Sequence, residues 1–511
     1  MLQSAFSRRL ALLGILACLA ALLSAGCLST AASRPGTGES ADRPNIIFVL
    51  ADDLDLASAQ KMPKVNSLLV ERGATFEEAF VSYPACCPSR ATMLTGLYAH
   101  NHGVRGNKRP VGGFEKFRDE GREEGTIAAR LQENGYRTAL FGKYLNHYPE
   151  RDDPTHVPPG WDEWYAKLGP HEYYDYRLNE NGEVVSYGSE EEDYLTDVLS
   201  GHATDFVRRA AEDDPFFAYV APIAPHNPAT PAERHKGAFA DEEVPRSPSF
   251  GEGDASDKPS WIQDLEPVAK EEGSRIDGHY QERLESMLAV DEMVASLVEE
   301  LEAAGELENT YVFFTSDNGY HLGEHRLRQG KKTPYEEAAR VPLLVRGPGV
   351  PAGSTVEDLV LNADIAPTFA ELAGLEEFAA DGRSLLPLIG LIRGEGSPSW
   401  RSSVLLEAFL DGRNAGEESN EGGDDEESVG KNGDEGSRMD RTAFGAVRTK
   451  TYKYIEHETG EKELYDLETD PYELENVYET ADPSLIEDLK ARLEALRDCE
   501  GEGCQEAEDA P

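Results

Sequence analysis

Between residues 45 and 345 the chain alternates compact apolar runs with stretches whose apolar residues recur every three to four positions. Asn45-Ile46-Ile47-Phe48-Val49-Leu50, Thr138 to Phe141, Phe216 to Val220, Tyr311 to Phe314 and Val341 to Val345 are continuous apolar runs. Such runs are the pattern of strands buried on both faces. Helical periodicity lies between them: Thr126 to Asn134 is closed by Gly135, and Tyr280 to Ala304 carries Leu284, Met287, Leu288, Met293, Leu297 and Leu301 before Gly305. The alternation predicts an α/β domain with a large, mainly parallel sheet covered by helices. Further on, Val404-Leu405-Leu406, Phe444 to Arg448 and Tyr452 to Ile455 are short runs, and Leu485 to Leu496 reads as a helix. They predict a smaller C-terminal subdomain with an antiparallel sheet and a closing helix.

The residues that follow the long runs carry chemistry. Asp52-Asp53 follows the first, Lys143 the second, His226 the third beyond a Pro-containing turn, and Asp317-Asn318-Gly319 the fourth. Ligands of open α/β sheets bind beyond the carboxyl ends of the strands. Turn chemistry accounts for any one of these residues alone. Four strands delivering polar groups to one edge point to a site.

Cys86-Cys87-Pro88-Ser89-Arg90 is the most informative segment. Pro88 suits the first turn of a helix, where its missing N–H is not needed. The helix N-terminus would face whatever sits over Cys86, and Arg90 adds a fixed cation able to grip two oxygens of an anion. A cysteine in that setting is a reactive-residue candidate; a structural Cys86–Cys87 pair is the plain alternative.

This segment, continued by Ala91 to Gly96, resembles the signature of the type I sulfatase family, Cys-x-Pro-Ser-Arg followed by x4-Thr-Gly. The resemblance runs from about Arg43 to Val477 and includes Arg43-Pro44-Asn45 with Asp52-Asp53, Gly142 to Asn146, Ala224-Pro225-His226, Ser316 to His321, Val341 to Gly349 and Leu464 to Asn476. It implies an alkaline-phosphatase-like fold and oxidation of Cys86, not Cys87, to formylglycine by a formylglycine-generating enzyme. Within the family, Cys-Cys-Pro-Ser-Arg, His100-Asn101-His102 and Gly-Lys-Tyr-Leu-Asn are most similar to N-acetylglucosamine-6-sulfatases and extracellular glucosaminyl-6-sulfatases. Many arylsulfatases carry Gly-Lys-Trp-His, whose His joins the catalytic group; here Leu145 or Asn146 stands in that region.

Sulfate ester cleavage needs a nucleophile at sulfur, neutralised non-bridging oxygens and an acid for the leaving alcohol. The resemblance implies a hydrated formylglycine at position 86 as nucleophile: one hydroxyl attacks sulfur, and the other expels sulfate as the aldehyde re-forms. Asp52, Asp53, Asp317 and Asn318 offer only oxygen ligands, a set for Ca²⁺ or Mg²⁺ rather than zinc. The resemblance favours Ca²⁺, with the modified Cys86 as a further metal ligand. Arg90, Lys143 and Lys331 are the expected sulfate-binding cations, with Lys332 the alternative to Lys331, and His226 is the expected proton donor. His100, His102, His321, Glu324 and His325 are expected to line the pocket; the His321/His325 spacing also invites a zinc reading, set aside because no further soft ligands are near.

Composition and the chain ends complete the picture. The chain has 511 residues and 49 Lys and Arg against 97 Asp and Glu, a net charge of −48. That balance argues against binding to nucleic acid or an anionic lipid surface. Residues 1–27 read as a signal peptide: Arg8 and Arg9 precede the apolar run Leu10 to Leu23 and then Ser24-Ala25-Gly26-Cys27. An uncleaved membrane anchor is the alternative. Cys27 is a candidate lipid-anchor site, although Ser24 replaces the Leu that lipoprotein signals favour, and Ser7-Arg8-Arg9-Leu10 loosely resembles a twin-arginine signal. The expected product is therefore an exported protein, a cell-surface lipoprotein or secreted. Residues 28–43 read as a flexible tether, 44–390 as the catalytic domain, 391–497 as the C-terminal subdomain with a disordered acidic insertion at 414–437, and 498–511 as an acidic tail. Cys499 and Cys504 are close enough to pair, or remain free thiols. Expected partners are a sulfated sugar or aryl sulfate. The rival activities are arylsulfatase, phosphodiester or phosphonate monoester hydrolysis, and noncatalytic glycan binding.

Overall fold

The computed structural model describes residues 43–149, 153–211, 215–390, 400–410 and 443–510. The predicted signal peptide with Cys27, the tether up to residue 42 and the acidic insertion at 414–437 lie outside the described residues.

Sixteen strands are present among the described residues: β1 (Asn45–Ala51), β2 (Ala74–Phe76), β3 (Ala79–Phe80), β4 (Arg137–Gly142), β5 (Glu163–Leu168), β6 (Arg177–Glu180), β7 (Glu183–Ser186), β8 (Phe216–Ala221), β9 (Thr310–Ser316), β10 (Leu343–Arg346), β11 (Ser354–Val356), β12 (Val360–Leu361), β13 (Ser403–Ala408), β14 (Phe444–Thr449), β15 (Tyr452–His457) and β16 (Lys462–Asp466). Ten form one mixed sheet in the order β11-β2-β10-β9-β1-β8-β4-β5-β6-β7. Its centre is parallel, β1 pairing with β8 and β9, and β4 with β8 and β5. Antiparallel pairs lie outside that centre, β10 on β9 and β2, and β6 on β5 and β7.

The apolar run of β1 explains its central place. All seven residues are buried. Because strand side chains alternate, Ile46, Phe48 and Leu50 enter one core while Ile47, Val49 and Ala51 enter the other. The first core also takes Phe369, and the second takes Met287, Met293, Leu297 and Leu301 from the helix Lys270–Ala304. That helix ends at Gly305 with φ 77°, the left-handed cap that glycine accepts without strain. It begins at Lys270, earlier than the predicted Tyr280, because its first turns are mostly charged and carry no apolar stripe.

β13, β14, β15 and β16 form the predicted antiparallel sheet. The helix Pro483–Arg497 covers it with Leu489, Leu493 and Leu496, and this core is shared with Tyr83, Tyr98 and Tyr335 from the catalytic region. Cys499 and Cys504 form a disulfide. Residues 498–510 fold back as the helix Glu502–Glu508, whose Glu508 is buried against Arg401 at 3.0 Å and Arg383 at 2.9 Å.

Candidate active site

Parallel pairing puts the carboxyl ends of β1, β4, β8 and β9 on one sheet edge. The loops beyond them are tied by backbone hydrogen bonds: Asp52 N–H donates to Ala224 O (3.1 Å), Lys143 N–H to Ala221 O (2.8 Å) and Asp317 N–H to Ala51 O (3.1 Å). Gly142 has φ 109°, and a Cβ there would sit 2.0 Å from Ala221 O, so only glycine lets the chain turn at Lys143. Asp53 takes φ 67°, a costly conformation for a residue with a side chain, and its N–H donates to Asp317 Oδ1 at 3.0 Å.

Cys86 is the first residue of the helix Cys86–Thr95, every residue of which is buried. Pro88 lies in the first turn, where no intrahelical N–H donor is lost. Cys86 Sγ lies 3.5 Å from Asp52 Oδ1 and 3.6 Å from Asp53 Oδ1. Lys331 Nζ is 2.7 Å from the same sulfur and 2.5 Å from Asp53 Oδ1, which favours Lys331 over the adjacent Lys332. Lys143 Nζ donates to Asp52 Oδ2 at 2.7 Å. Arg90, fully buried, donates through Nε to Asp317 Oδ2 (2.7 Å) and through Nη1 to Lys143 O (2.8 Å). Its Nη2 makes no hydrogen bond among the described residues and is 3.9 Å from Asp52 Oδ1.

His226 Nε2 lies 3.8 Å from Asp53 Oδ2, and Nδ1 is 2.8 Å from Asn227 O. A carbonyl only accepts, so Nδ1 carries a proton and Nε2 is the nitrogen that exchanges one. The structure thus brings Asp52, Asp53, Cys86, Arg90, Lys143, His226, Asp317, Asn318 and Lys331 together, from six separate segments.

Burial alone would raise the carboxylates. The nearby Lys143, His226 and Arg90 nevertheless hold Asp52 well below the usual range, and Lys331 and His226 lower Asp53. Asp317 goes the other way: burial and the adjacent Asp52 raise it. Burial pushes the Cys86 thiol far up despite Lys143 and Lys331, so the unmodified thiol stays protonated. Burial would lower Lys143, but the acidic groups around it, Asp52 first and Asp317 among them, together raise it.

The donor set fits a hard divalent cation. Three carboxylates, Asp52, Asp53 and Asp317, share the site with Asn318, whose Oδ1 is buried with no hydrogen-bond partner among the described residues. The Asn318 amide is oriented by its Nδ2, which donates to Asp53 Oδ1 and Gly319 O, both at 2.8 Å. An oxygen aimed nowhere, beside carboxylates that repel one another, is what an oxygen-seeking cation would satisfy.

The expected pocket histidines are engaged elsewhere. His100 uses Nδ1 on Glu407 (3.0 Å) and Nε2 on Cys499 O (3.1 Å). His102 is buried, with Nε2 on Thr92 Oγ1 and Nδ1 accepting from Val104 N–H. His321 bonds Thr333 Oγ1 at 2.7 Å, and His325 bonds Glu252 at 2.9 Å. The His321 and His325 rings are 6.4 Å apart and nearly perpendicular, not a shared ligand pair. Leu145 is buried in the first core. Two residues without a sequence signal do reach the site. Arg283, from the long helix, bonds Asp55 Oδ2 at 3.1 Å and also donates to the Asp53 carbonyl. His171, from the loop between β5 and β6, stacks on His226 with ring centroids 4.0 Å apart. Neither belongs to a motif, and neither follows an apolar run.

Comparison with known proteins agrees with this geometry. Residues 44–375 match the family model described as Sulfatase. The chain belongs to the sulfatase family. Residues 435–499 of this sulfatase match a second model, N-sulphoglucosamine sulphohydrolase, C-terminal. It is 36% identical to N-acetylglucosamine-6-sulfatase of Capra hircus, over 94% of this chain and 87% of the relative. It is also 36% identical to the Homo sapiens enzyme of the same name, over 95% and 89%. A solved structure described as a complex with its substrate D-glucosamine-2-N,6-O-disulfate superimposes with TM-score 0.71 and 25% identity, over 91% of this chain and 99% of that one. The predicted large sheet with an antiparallel C-terminal subdomain is therefore the sulfatase architecture, and the chain is a sulfuric ester hydrolase.

Proposed function

We propose that this sulfatase removes 6-O-sulfate from N-acetylglucosamine or related glycans outside the cytoplasm, with Cys86 oxidised to formylglycine and Ca²⁺ held by Asp52, Asp53, Asp317 and Asn318. One observation carries the reading: Cys86, at a helix N-terminus, has its Sγ within 3.6 Å of two carboxylates and 2.7 Å of Lys331 Nζ. The activity named for the goat and human relatives supports the sugar, as does the disulfated glucosamine bound in the solved neighbour.

The buried, protonated Cys86 thiol is a poor nucleophile as it stands. Formylglycine at position 86 would supply, as its hydrate, a hydroxyl to attack sulfur and a second to release sulfate. A cation held by Asp52, Asp53, Asp317 and Asn318 would polarise the ester and lower the pKa of the attacking hydroxyl. The chain's own groups do the rest. The helix N-terminus and the free Nη2 of Arg90 face an incoming anion. Lys143 and Lys331 neutralise charge on the non-bridging oxygens. His226, its Nδ1 held by Asn227 O, gives the Nε2 proton to the leaving alcohol. The apolar segment Leu10 to Leu23 supports export, with a lipid anchor at Cys27 as the surface-attached form.

The test is free sulfate released from N-acetylglucosamine 6-sulfate by protein made alongside a formylglycine-generating enzyme, with Cys86→Ala as the blank. Release that survives in Cys86→Ala rejects the mechanism. Wild-type protein that releases sulfate only from aryl sulfates rejects the substrate.

A further inference from the structure

His226 has a neighbour that the mechanism above does not use. The His171 ring lies on the His226 ring at 4.0 Å with an interplanar angle of 24°. The stack is built in. Two residues on, Tyr173 is buried and its hydroxyl donates to the His226 carbonyl at 2.8 Å, while its own carbonyl accepts from Leu195 N–H at 3.0 Å. The loop bearing His171 is thus pinned to the segment bearing His226. The His171 ring makes no hydrogen bond to another described residue, and the residue is half-buried rather than enclosed. An imidazole in such surroundings ordinarily finds a protein partner. Here its face is used and its polar edge is not.

Resting on the sulfate-ester reading, we infer that His171 is a substrate-contacting residue: its free edge hydrogen-bonds the sugar that bears the sulfate, while its face keeps the His226 ring in position. The leaving alcohol must lie beside His226 to receive its proton, so the ring stacked on His226 is next in line to meet the rest of that sugar. Burial, His226 and Lys143 keep the His171 ring neutral. A neutral ring offers one donor and one acceptor, which matches a sugar hydroxyl or acetamide better than a sulfate oxygen. A flat aryl ester presents no such group.

The experiment compares His171→Phe and His171→Ala with the wild type, all carrying formylglycine, on N-acetylglucosamine 6-sulfate and on 4-nitrophenyl sulfate. Phe keeps a stacked ring and removes the polar edge; Ala removes both. For His171→Phe, KM on the sugar ester should rise about fivefold with kcat held within about twofold, the loss expected for one hydrogen bond, and the aryl ester should be unaffected. His171→Ala should show the same KM rise and, in addition, a lower kcat on both esters as His226 loses its stacking partner. Wild-type kinetics of His171→Phe on the sugar ester would overturn the contact, as would equal losses on the two esters. Wild-type protein inactive on the sugar ester overturns the substrate reading first, and the contact with it, before any variant is compared.

Discussion

Among the clusters of buried charge in the described residues of this sulfatase, two differ in what they leave unpaired. One is the site around Cys86. The other joins the loop that carries Lys331 to the C-terminal sheet. In the second, His325 Nδ1 is 2.9 Å from Glu252 and its Nε2 is 3.5 Å from Glu337. Lys453 of β15 is 2.8 Å from Glu336 and 2.7 Å from Glu473, and Lys258 is 3.6 Å from Glu252. Some acid oxygens here, Glu252 Oε1, Glu337 Oε2 and Glu473 Oε1, lack a well-aligned hydrogen bond among the described residues, but each has a cation within 3.6 Å. Burial would raise Glu336, yet Lys453, Arg448 and Arg340 bring it down to about 2. Around Cys86, by contrast, Asn318 Oδ1 has no hydrogen-bond partner among the described residues, and Asp317 is raised by burial and by Asp52. A buried network balanced within itself is framework. One with an orphaned acceptor and crowded carboxylates awaits a ligand.

The largest expected effect separates the two directly. Asp317→Asn keeps the shape of the site but removes one negative charge and one oxygen from the donor set. Metal content measured after desalting should fall, and sulfate release should drop roughly 10²–10³-fold. Full metal content in the variant would show that Asp317 is not a ligand. The matched change in the other cluster is Lys453→Met, which strands Glu336 and Glu473 without their shared cation. Breaking a buried pair on one side costs about 3–5 kcal/mol of stability, while kcat per folded molecule should stay at the wild-type value. A variant as stable as the wild type would mean that the network is not framework.

His226→Ala tests the site from its leaving-group side. Removing a general acid costs roughly 10²-fold when the alcohol is a poor leaving group. Activated phenyl sulfates leave without help, so they should lose little. Equal losses on sugar and phenyl esters would argue against proton donation.

The contrast also explains what the sequence could disclose. Asp52, Asp53, Lys143, His226, Asp317 and Asn318 follow apolar runs, and a parallel sheet has to bring such positions to one edge. Cys86 and Arg90 lie within a single motif. The second cluster draws on Glu252, His325, Glu337 and Lys453, far apart in the chain and tied to no periodicity, so nothing local marks their meeting. His321 and His325 showed a ligand-like spacing, yet the loop turns their rings apart, and His325 enters the framework instead. His171 was invisible for the same reason as Lys453: its partner lies in another segment. The strands β5 to β7, at one end of the sheet, have mixed polar sequences and gave no apolar run. Strand β10 starts at Leu343 and not at the predicted Val341, because Pro342 has no N–H for a ladder.

The most gradual expected effect is a pH dependence of the framework. Glu337 and Glu252 outweigh burial and raise His325 to about 9, and burial raises Glu324 to about 8. A histidine raised above its ordinary value of 6.5 stabilises the fold fully below pH 6.5 and loses that contribution as pH rises through about 9. A carboxyl raised from 4.5 to about 8 is protonated in the fold and ionised in the unfolded chain, so it too costs stability as pH rises across that interval. Both groups act in the same direction. Between pH 6.5 and 9 the stability should fall by on the order of 3–5 kcal/mol, read as a lower Tm in thermal unfolding. His325→Gln should lower stability at every pH but flatten the slope, because the titrating partner of Glu337 is gone. The slope is therefore the readout, not the absolute Tm. A wild-type Tm that holds level from pH 6.5 to 9, or a slope unchanged in His325→Gln, would show that the charge balance of the second cluster does not depend on a protonated His325.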